Sequence, residues 1–268
     1  MRIASALLAA SLLVPPVSAA DEVPFVVSPD NVTMAMLQAA KVTNEDYVID
    51  LGSGDGRIVI LAARRFGARG LGIEINPELV EKSRVNAQNA GVAGRVSFRE
   101  QDLFKTDLRP ASVVTLYLLP EVNLQLRPRL LKLRPGTRIV SHDWDMAEWQ
   151  PDRTVVVDVP DKEFGLEKSS KVHLWIVPAR LDGAWCGSGK ARGTTLELTQ
   201  DFQMLRGRLA SGDGASEIEG RIRGTAARTN AGLAFELEGT RLRATAPRGK
   251  HSALHRATFT KRGGPTCR

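Results

Sequence analysis

Cysteine is scarce in this chain, and long apolar segments are absent after the first 20 residues. The 268 residues contain two cysteines, Cys186 and Cys267, and both lie in the last third of the chain. After residue 20 no apolar run approaches the roughly 20 residues that a membrane-spanning helix needs. We therefore expect no transmembrane segment once an N-terminal signal is removed. In an oxidising compartment the two cysteines would form one disulfide, whereas in a reducing compartment they would stay free thiols.

The first 20 residues have the pattern of a secretory signal. Arg2 supplies positive charge, Ile3 to Val14 form an apolar run, and Ser18 to Ala20 are small residues that suit a signal peptidase. Twin arginines are absent, as is a cysteine near the cleavage site for lipid attachment. We expect cleavage after Ala20 and a periplasmic or secreted protein. The alternative is a cytoplasmic protein whose leader is retained or skipped.

Charge divides the chain into two parts. Residues 181–268 contain 15 lysines and arginines against 8 aspartates and glutamates, whereas the rest of the chain contains 22 of each class. The net charge of +7 therefore belongs to the C-terminal part, which points to two units with different surfaces. We predict a signal peptide at 1–20, a larger domain at 21–180 and a smaller basic domain at 181–268.

A glycine stands at every second position after the first predicted strand of the larger domain. Val48 to Leu51 is typical of a buried parallel strand, and Arg57 to Phe66 is typical of a helix. The loop between them contains Gly52, Gly54 and Gly56. A strand, a glycine loop and a helix in this order allow a backbone to approach a ligand closely beside a helix N-terminus.

Two carboxylates near this loop narrow the choice of ligand. Glu74 ends the second predicted strand, where a carboxylate can accept hydrogen bonds from two ribose hydroxyls. The loop lacks the G-x-G-x-x-G spacing that binds a pyrophosphate, and Asp50, just ahead of it, would repel phosphate. A ligand with an adenosine group and with positive charge on a sulfonium and an ammonium satisfies both conditions. S-adenosylmethionine is such a ligand.

The following residues continue the alternation of helices and strands. Asn76 to Glu78 predict a helix start. A third strand is followed by Asp102, which could accept a hydrogen bond from an adenine amino group. A fourth strand, a helix over 121–133 that Pro128 could break, and a fifth strand come next. Two later runs, RTVVVDV and KVHLWIVP, are predicted to pair as a closing hairpin.

Residues 25–178 resemble the class I S-adenosylmethionine-dependent methyltransferases. The resemblance rests on DLGSGDGRIV, GIEINPELV, DLF and YLLP, and it points to a bacterial group related to the small protein-lysine methyltransferases. It implies a Rossmann-like α/β sheet with helices on both faces, and S-adenosyl-L-methionine as cofactor. It also implies that Glu74 holds the ribose, that Asp102 holds the adenine, and that a helix with Ser28 as N-cap covers the cofactor. The residues implied at the methionine end are Asp50, Gly52, Ser53, Gly54 and Gly56.

The chain departs from the family at the place where many amino-methylating members hold the substrate nitrogen. Those members have Asn or Asp, two prolines and an aromatic residue after the fourth strand, whereas this chain has Tyr117 to Pro120. The difference argues against methylation of a DNA base or a glutamine and leaves the acceptor undetermined. For His142 a structural hydrogen bond at a strand end is a stronger interpretation than catalysis. Weak candidates for a general base are Tyr117, His142 and Asp143, with Glu121 and Asp145 nearby and Trp144 as a wall.

Alternating apolar and polar residues predict an antiparallel all-β domain in residues 181–268. Runs such as TTLELTQ and LAFELEGTRLRAT alternate with period two, and turn residues such as SGDG separate them. We expect a small barrel or sandwich closed by a Cys186–Cys267 disulfide. The outward arginines of GRIRGT and TRLRAT could bind an anionic ligand, although a solvated basic face is the simpler explanation. Aromatic residues do not interleave them, so nucleic acid is not an expected partner.

Taken together, these patterns predict a methyltransferase that uses S-adenosylmethionine and no metal. Its acceptor is not identified, and a protein side chain is among the candidates. The alternative is an exported, envelope-associated binding protein that keeps the fold without turnover. Its basis is physical, because the cofactor is made in the cytosol and an unfolded exported chain could not carry it along.

Overall fold

A computed structural model describes residues 28–162, 167–212, 214–245, 249–263 and 267 of the chain. These residues form a seven-stranded mixed sheet with helices on both faces, followed by a closed antiparallel barrel. The predicted signal peptide and its cleavage site lie outside the described residues. None of the described helices is long and apolar enough to cross a membrane.

The seven-stranded sheet has the order β3-β2-β1-β4-β5-β7-β6, and β7 is antiparallel to both of its neighbours. This confirms the five alternating strands and the closing hairpin. The strands are β1 (Tyr47–Leu51), β2 (Arg69–Glu74), β3 (Val96–Glu100), β4 (Val113–Leu116), β5 (Arg138–His142), β6 (Arg153–Asp158) and β7 (Ser169–Ile176). The helices are α1 (Asp30–Ala39), α2 (Arg57–Phe66), α3 (Pro77–Asn89) and α4 (Pro120–Leu130).

Two apolar cores lie on opposite faces of this sheet because consecutive strand residues point to opposite sides. Val48 of β1 packs in the core that α1, α2 and α3 cover, whereas Ile49 packs in the core that α4 covers. The second core also contains Met146 and Trp149 from the connection between β5 and β6. Helices therefore cover both faces, as the resemblance implies.

The prediction that Ser28 caps α1 is wrong. Pro29 occupies the N-cap position, and no side chain caps this helix. The Ser28 hydroxyl lies 2.8 Å from Nδ1 of His142 instead, in a buried hydrogen bond to the end of β5. Ser28 therefore bonds a residue 114 positions away instead of the start of α1, and the residues next to it in sequence do not predict this partner.

Helix α4 passes through Pro128 without a break and ends at Leu130, so the predicted end at residue 133 is three residues too late. Pro128 removes one backbone donor, the one that would bond the carbonyl oxygen four residues earlier, and α4 ends two residues after it.

The C-terminal part is a barrel of eight antiparallel strands, which decides between the barrel and the sandwich. Leucines and aromatic residues such as Phe235 and Phe259 fill its interior, as expected for a barrel of this strand number. The strands are β8 (Gly183–Ser188), β9 (Thr195–Asp201), β10 (Met204–Ser211), β11 (Gly214–Arg223), β12 (Ala226–Thr229), β13 (Ala234–Glu238), β14 (Arg241–Ala244) and β15 (Thr258–Lys261).

The two cysteines lie together at one place in the barrel. Cys186 is in β8, and its Sγ atom is 1.97 Å from that of Cys267, with Cα atoms 5.3 Å apart. A bond here joins the first strand of the barrel to the C-terminal end of the chain, 81 residues away.

Several outward arginines of the barrel contact acidic residues of the protein itself. Arg221 donates to Asp152 of the β5–β6 connection at 2.9 Å, and Arg243 pairs with Glu238 of β13. On neighbouring strands Arg206 faces Glu219 at 3.8 Å, and the barrel repeats this pairing at Arg208 and Glu217. These contacts leave the predicted anionic ligand without structural support.

The barrel packs against the sheet near the amino edge of its parallel strands. In the turn between β9 and β10, Phe202 stacks on Trp149 with ring centroids 6.2 Å apart, and the buried Gln203 donates to the carbonyl oxygen of Gln150 at 2.6 Å. The amide of Ala179 donates to the carbonyl oxygen of Gly224 at 2.7 Å. The barrel therefore completes a core of the sheet at the edge opposite to the glycine loop.

Candidate active site

The glycine loop lies at the carboxyl edge of the parallel strands, where ligands bind in open α/β sheets. Gly52, Gly54 and Gly56 all have positive φ, of 75°, 53° and 83°. The amides of Gly52 and Ser53 both donate to the carbonyl oxygen of Ile73, at 2.8 and 2.9 Å. Non-glycine residues rarely adopt three such conformations in so short a loop, which explains the alternating glycines.

Glu74 holds this loop against the second strand. Its Oε2 atom accepts a hydrogen bond from the Gly54 amide at 2.9 Å, and its Oε1 atom accepts from the amides of Ile75 and Asn76 at 2.8 and 3.0 Å. A carboxylate oxygen has two lone pairs, so Oε2 can accept a further hydrogen bond. Glu74 is thus placed to shape the loop and to receive a hydroxyl group of a ligand.

Asp50 is a buried carboxyl group directly beneath the loop. Thr115 Oγ1 donates to its Oδ1 atom at 2.6 Å. Burial, assisted by the negative charges of Glu74 and Asp55, raises the pKa of Asp50 to about 7. A ligand that brings positive charge to this edge would stabilise the ionised form. The chemistry of Asp50 therefore fits the sulfonium and ammonium groups of S-adenosylmethionine.

Asp102 lies on the next strand connection. Its Oδ1 atom accepts from the amide of Phe104 at 2.8 Å, and its Oδ2 atom lies 3.6 Å from the Lys105 ammonium. Because β2 and β3 are paired with Glu74 opposite Glu100, the structure brings Asp102 to the same edge as Glu74. The predicted order of ribose and adenine contacts along this edge is therefore consistent with the strand register.

An ion pair that the sequence reasoning missed ties α1 to the glycine loop. Arg57 pairs with Asp55 at 2.9 Å and donates from Nη1 to the carbonyl oxygen of Ser28 at 2.8 Å. Asp55 and Arg57 flank the last glycine of the loop, and opposite charges two residues apart were the available signal. The contact with Ser28, 29 residues away, is visible only in three dimensions.

The candidate bases Tyr117 and His142 stack on each other, with ring centroids 3.9 Å apart. His142 is buried, and both its ring nitrogens have hydrogen-bond partners, Ser28 at 2.8 Å and Ser170 at 3.0 Å. Burial lowers the pKa of His142, and burial together with the charge of Asp143 raises the pKa of Tyr117. At neutral pH the imidazole is therefore neutral and the phenol protonated. The geometry gives His142 a structural role.

Asp143 is engaged by residues of the closing hairpin that the sequence reasoning also missed. Lys162 Nζ donates to its Oδ2 atom at 2.8 Å, and the amide of Lys171 donates to its Oδ1 atom at 2.8 Å. Burial opposes ionisation, but the hydrogen bonds from Lys162 and Lys171 outweigh it and lower the pKa of Asp143. Asp143 is thus a paired, ionised carboxylate. The other candidates, Glu121, Trp144 and Asp145, are exposed at the same edge.

The sheet order, the glycine loop and the carboxylates along one edge define an enzyme of the class I S-adenosylmethionine-dependent methyltransferases. Comparison with known proteins agrees. The family model for the ANTKMT methyltransferase domain matches residues 50–153. A protein-lysine N-methyltransferase from Saccharolobus islandicus is 44% identical over 138 residues, which cover 51% of this chain and 86% of that protein.

Two further relatives extend the comparison. A solved structure titled as an RNA methyltransferase from Salinibacter ruber, in complex with S-adenosyl-L-homocysteine, is 54% identical with a TM-score of 0.53 and covers 58% of this chain and 96% of that one. The adenine nucleotide translocase lysine N-methyltransferase of Mus musculus is 42% identical over 106 residues. That match covers 39% of this chain and 46% of the mouse protein, less than half of its length. This chain therefore belongs to the class I methyltransferases and uses S-adenosylmethionine as its cofactor.

Proposed function

We propose that this enzyme transfers a methyl group to the Nε atom of a lysine side chain in a protein. The observation that carries the proposal is the 44% identity with a protein-lysine N-methyltransferase over 86% of that relative. The family model runs from Asp50 to the start of β6 and so includes the glycine loop and the turn after β5. Exposed acidic residues at the same edge, Glu121 and Asp145, suit a positively charged acceptor.

In such a transfer the residues of the chain mainly position the two reactants. Bound at the glycine loop, S-adenosylmethionine supplies a methyl group on a positively charged sulfur. The acceptor nitrogen displaces that sulfur in line, so positioning carries most of the catalysis. The lysine must first lose a proton. Because Tyr117 is protonated and Asp143 is already paired, we infer that the proton leaves to solvent.

The acceptor is tested by labelling heat-denatured proteins and purified RNA of the host separately, with the purified enzyme and a radioactive methyl donor. We expect the label in protease-sensitive material and, by mass spectrometry, on lysine Nε. If nuclease removes the label and protease does not, the acceptor is RNA and the lysine proposal is overturned. The absence of transfer to either pool would support a protein that keeps the fold without turnover, for which the comparisons offer no support.

We also propose that residues 1–20 direct export and that the protein works in the periplasm or outside the cell. The support is the charge, apolar run and small residues of this segment, together with the proximity of the two cysteines. Intact-mass measurement of protein from its own host tests this. We expect a mass that lacks Met1 to Ala20 and is two hydrogens lighter than the dithiol. A mass that includes these residues and two thiols would identify a cytoplasmic enzyme.

A further inference from the structure

The chain makes a tight turn immediately after β5, at the same edge as the glycine loop. The amide of Trp144 donates to the carbonyl oxygen of His142, two residues earlier, at 2.7 Å. Asp143 at the centre of this turn has a φ of 60°. A three-residue turn of this kind is rare and strained for a residue other than glycine.

Hydrogen bonds from two sides hold the turn in this conformation. On one side Lys162 and the Lys171 amide bind the two carboxylate oxygens of Asp143, each at 2.8 Å. On the other side the fully buried Asn123 of α4 donates to the carbonyl oxygen of Trp144 at 3.3 Å and to Ser141 Oγ at 3.2 Å. Strained backbone persists where its surroundings over-determine it, and such places concentrate at active sites.

The turn places the indole of Trp144 in solvent. Trp144 is 45% exposed, whereas the three other tryptophans of the chain are at most 2% exposed. Leu119, 44% exposed, is the N-cap residue of α4, the helix whose Asn123 holds the carbonyl oxygen of Trp144. Its neighbour Leu118 lies over Gly52, where an added Cβ would be 2.7 Å from a Leu118 methyl group. Leu118, Leu119 and Trp144 are thus apolar residues at the edge of the sheet that carries the glycine loop.

We infer that Trp144 positions the acceptor, by packing its indole against the methylene chain of the incoming lysine. The inference rests on the proposed function. An aromatic face attracts both an ammonium group and the apolar stem that carries it. Glu121 is two residues after Leu119, and Asp145 is next to Trp144. Their exposed carboxylates match the positive charge of that acceptor.

The inference is tested with Trp144→Ala, Trp144→Leu and Trp144→Phe, using heat-denatured host proteins as the acceptor pool. We expect Trp144→Ala to raise the apparent KM for protein at least about tenfold and Trp144→Leu to raise it less, whereas Trp144→Phe stays within about threefold, because only the last keeps an aromatic face. The Kd for S-adenosylmethionine should stay within about twofold in all three. Met204→Ala, at a 49% exposed site on the barrel, is the matched control and should not change KM.

An unchanged KM in Trp144→Ala would overturn the inference, and so would an equal loss of cofactor affinity, which would place Trp144 in the cofactor pocket. The wild-type enzyme separates the two proposals. If the wild type makes methyl-lysine and the Trp144 variants have the same KM for protein as the wild type, only the role of Trp144 fails. If it makes no methyl-lysine, the proposed function fails and the inference fails with it.

Discussion

The sheet and the barrel differ in where their charged groups lie. In the sheet, carboxyl groups such as Asp50 and Asp143 lie buried or half-buried at one edge, and a strained turn adjoins them. In the barrel, charged groups lie outside and pair across neighbouring strands, as Arg206 does with Glu219. Buried charges and strain destabilise a fold, so their concentration in one region marks the region with a function. Arginines such as Arg206 on the barrel, by contrast, pair with acidic residues at the surface, and the structure offers no support for an anionic ligand there.

The largest expected effect belongs to the glycine loop alone. Gly54→Val should abolish binding of S-adenosylmethionine in calorimetry, because the side chain fills the space of the ligand and a φ of 53° disfavours any β-branched residue. Gly91→Val is the matched control, since Gly91 has a φ of 68° and open space around an added Cβ. Equal binding by the two variants would contradict the assignment of the loop.

The second prediction concerns the barrel alone. Replacing both Cys186 and Cys267 by serine should lower the free energy of unfolding of oxidised protein by about 4 kcal/mol, the chain-entropy value for a loop of this length. The affinity for the cofactor should remain unchanged below the melting transition. Denaturant unfolding with and without reductant measures the effect, and the double variant should be insensitive to reductant. Stability of the wild type that reductant leaves unaltered would count against a disulfide.

Phe202→Ala tests whether the two regions are separable. Because Phe202 packs against the buried Trp149 while only half-buried itself, its loss should cost about 3 kcal/mol, near the lower end for phenylalanine. We expect one cooperative transition that moves as a whole in denaturant unfolding. Met204→Ala, two residues away and exposed, should shift the transition by less than about 0.5 kcal/mol. Two separate transitions in the wild type would show independent units.

Within the sheet, the two strand-end carboxylates should differ. Glu74→Ala should weaken cofactor binding by about 2–3 kcal/mol, because charge-assisted hydrogen bonds to the ribose are lost and the Gly54 amide loses its acceptor. Asp102→Ala should cost less, since one neutral amino group is its expected donor. Glu81→Ala, an exposed acid on α3, is the control in the same calorimetric titration. Equal and negligible effects would mean that the adenosine lies elsewhere.

The smallest effect near neutral pH, at most about tenfold between pH 6 and pH 7, is a pH dependence of cofactor affinity that the barrel should not share. With the pKa of Asp50 raised to about 7, a positively charged cofactor must displace its proton below that pH. Affinity should therefore rise by up to about tenfold per pH unit towards pH 7 and level off above it. Without cofactor, the contribution of Asp50 to stability falls as pH rises from about 4 to about 7, because the native state then binds more protons than the unfolded state. Calorimetry across this range tests the affinity, and Asp50→Asn should remove its slope.

Local patterns were sufficient wherever the responsible residues are neighbours in sequence. The mostly apolar run from Val48 to Leu51 predicted a buried parallel strand, Asn76 and Pro77 predicted the start of α3, and both are confirmed. Period-two runs predicted the antiparallel strands of the C-terminal part. The alternating glycines predicted a loop that requires positive φ values.

Contacts between distant residues escaped the same reasoning. Ser28 was assigned to a local cap but bonds His142, 114 residues away. Lys162 and Asn123 gave no signal as site residues, because their partners come from other elements. For Arg57 the sequence offered only the opposite charge of Asp55 two residues away, and not its contact with Ser28.

By itself, the sequence determined the order of strands and helices, the conformation of the glycine loop and the class of cofactor, because each depends on the spacing of residues along a short segment. The tertiary structure alone decided that His142 is buried and neutral, that the barrel joins the sheet through Phe202 and Gln203, and that Trp144 stands exposed on a strained turn. These properties depend on partners brought together from distant segments. Burial sets the free-energy cost of a charge, and the surrounding contacts decide whether a strained turn persists.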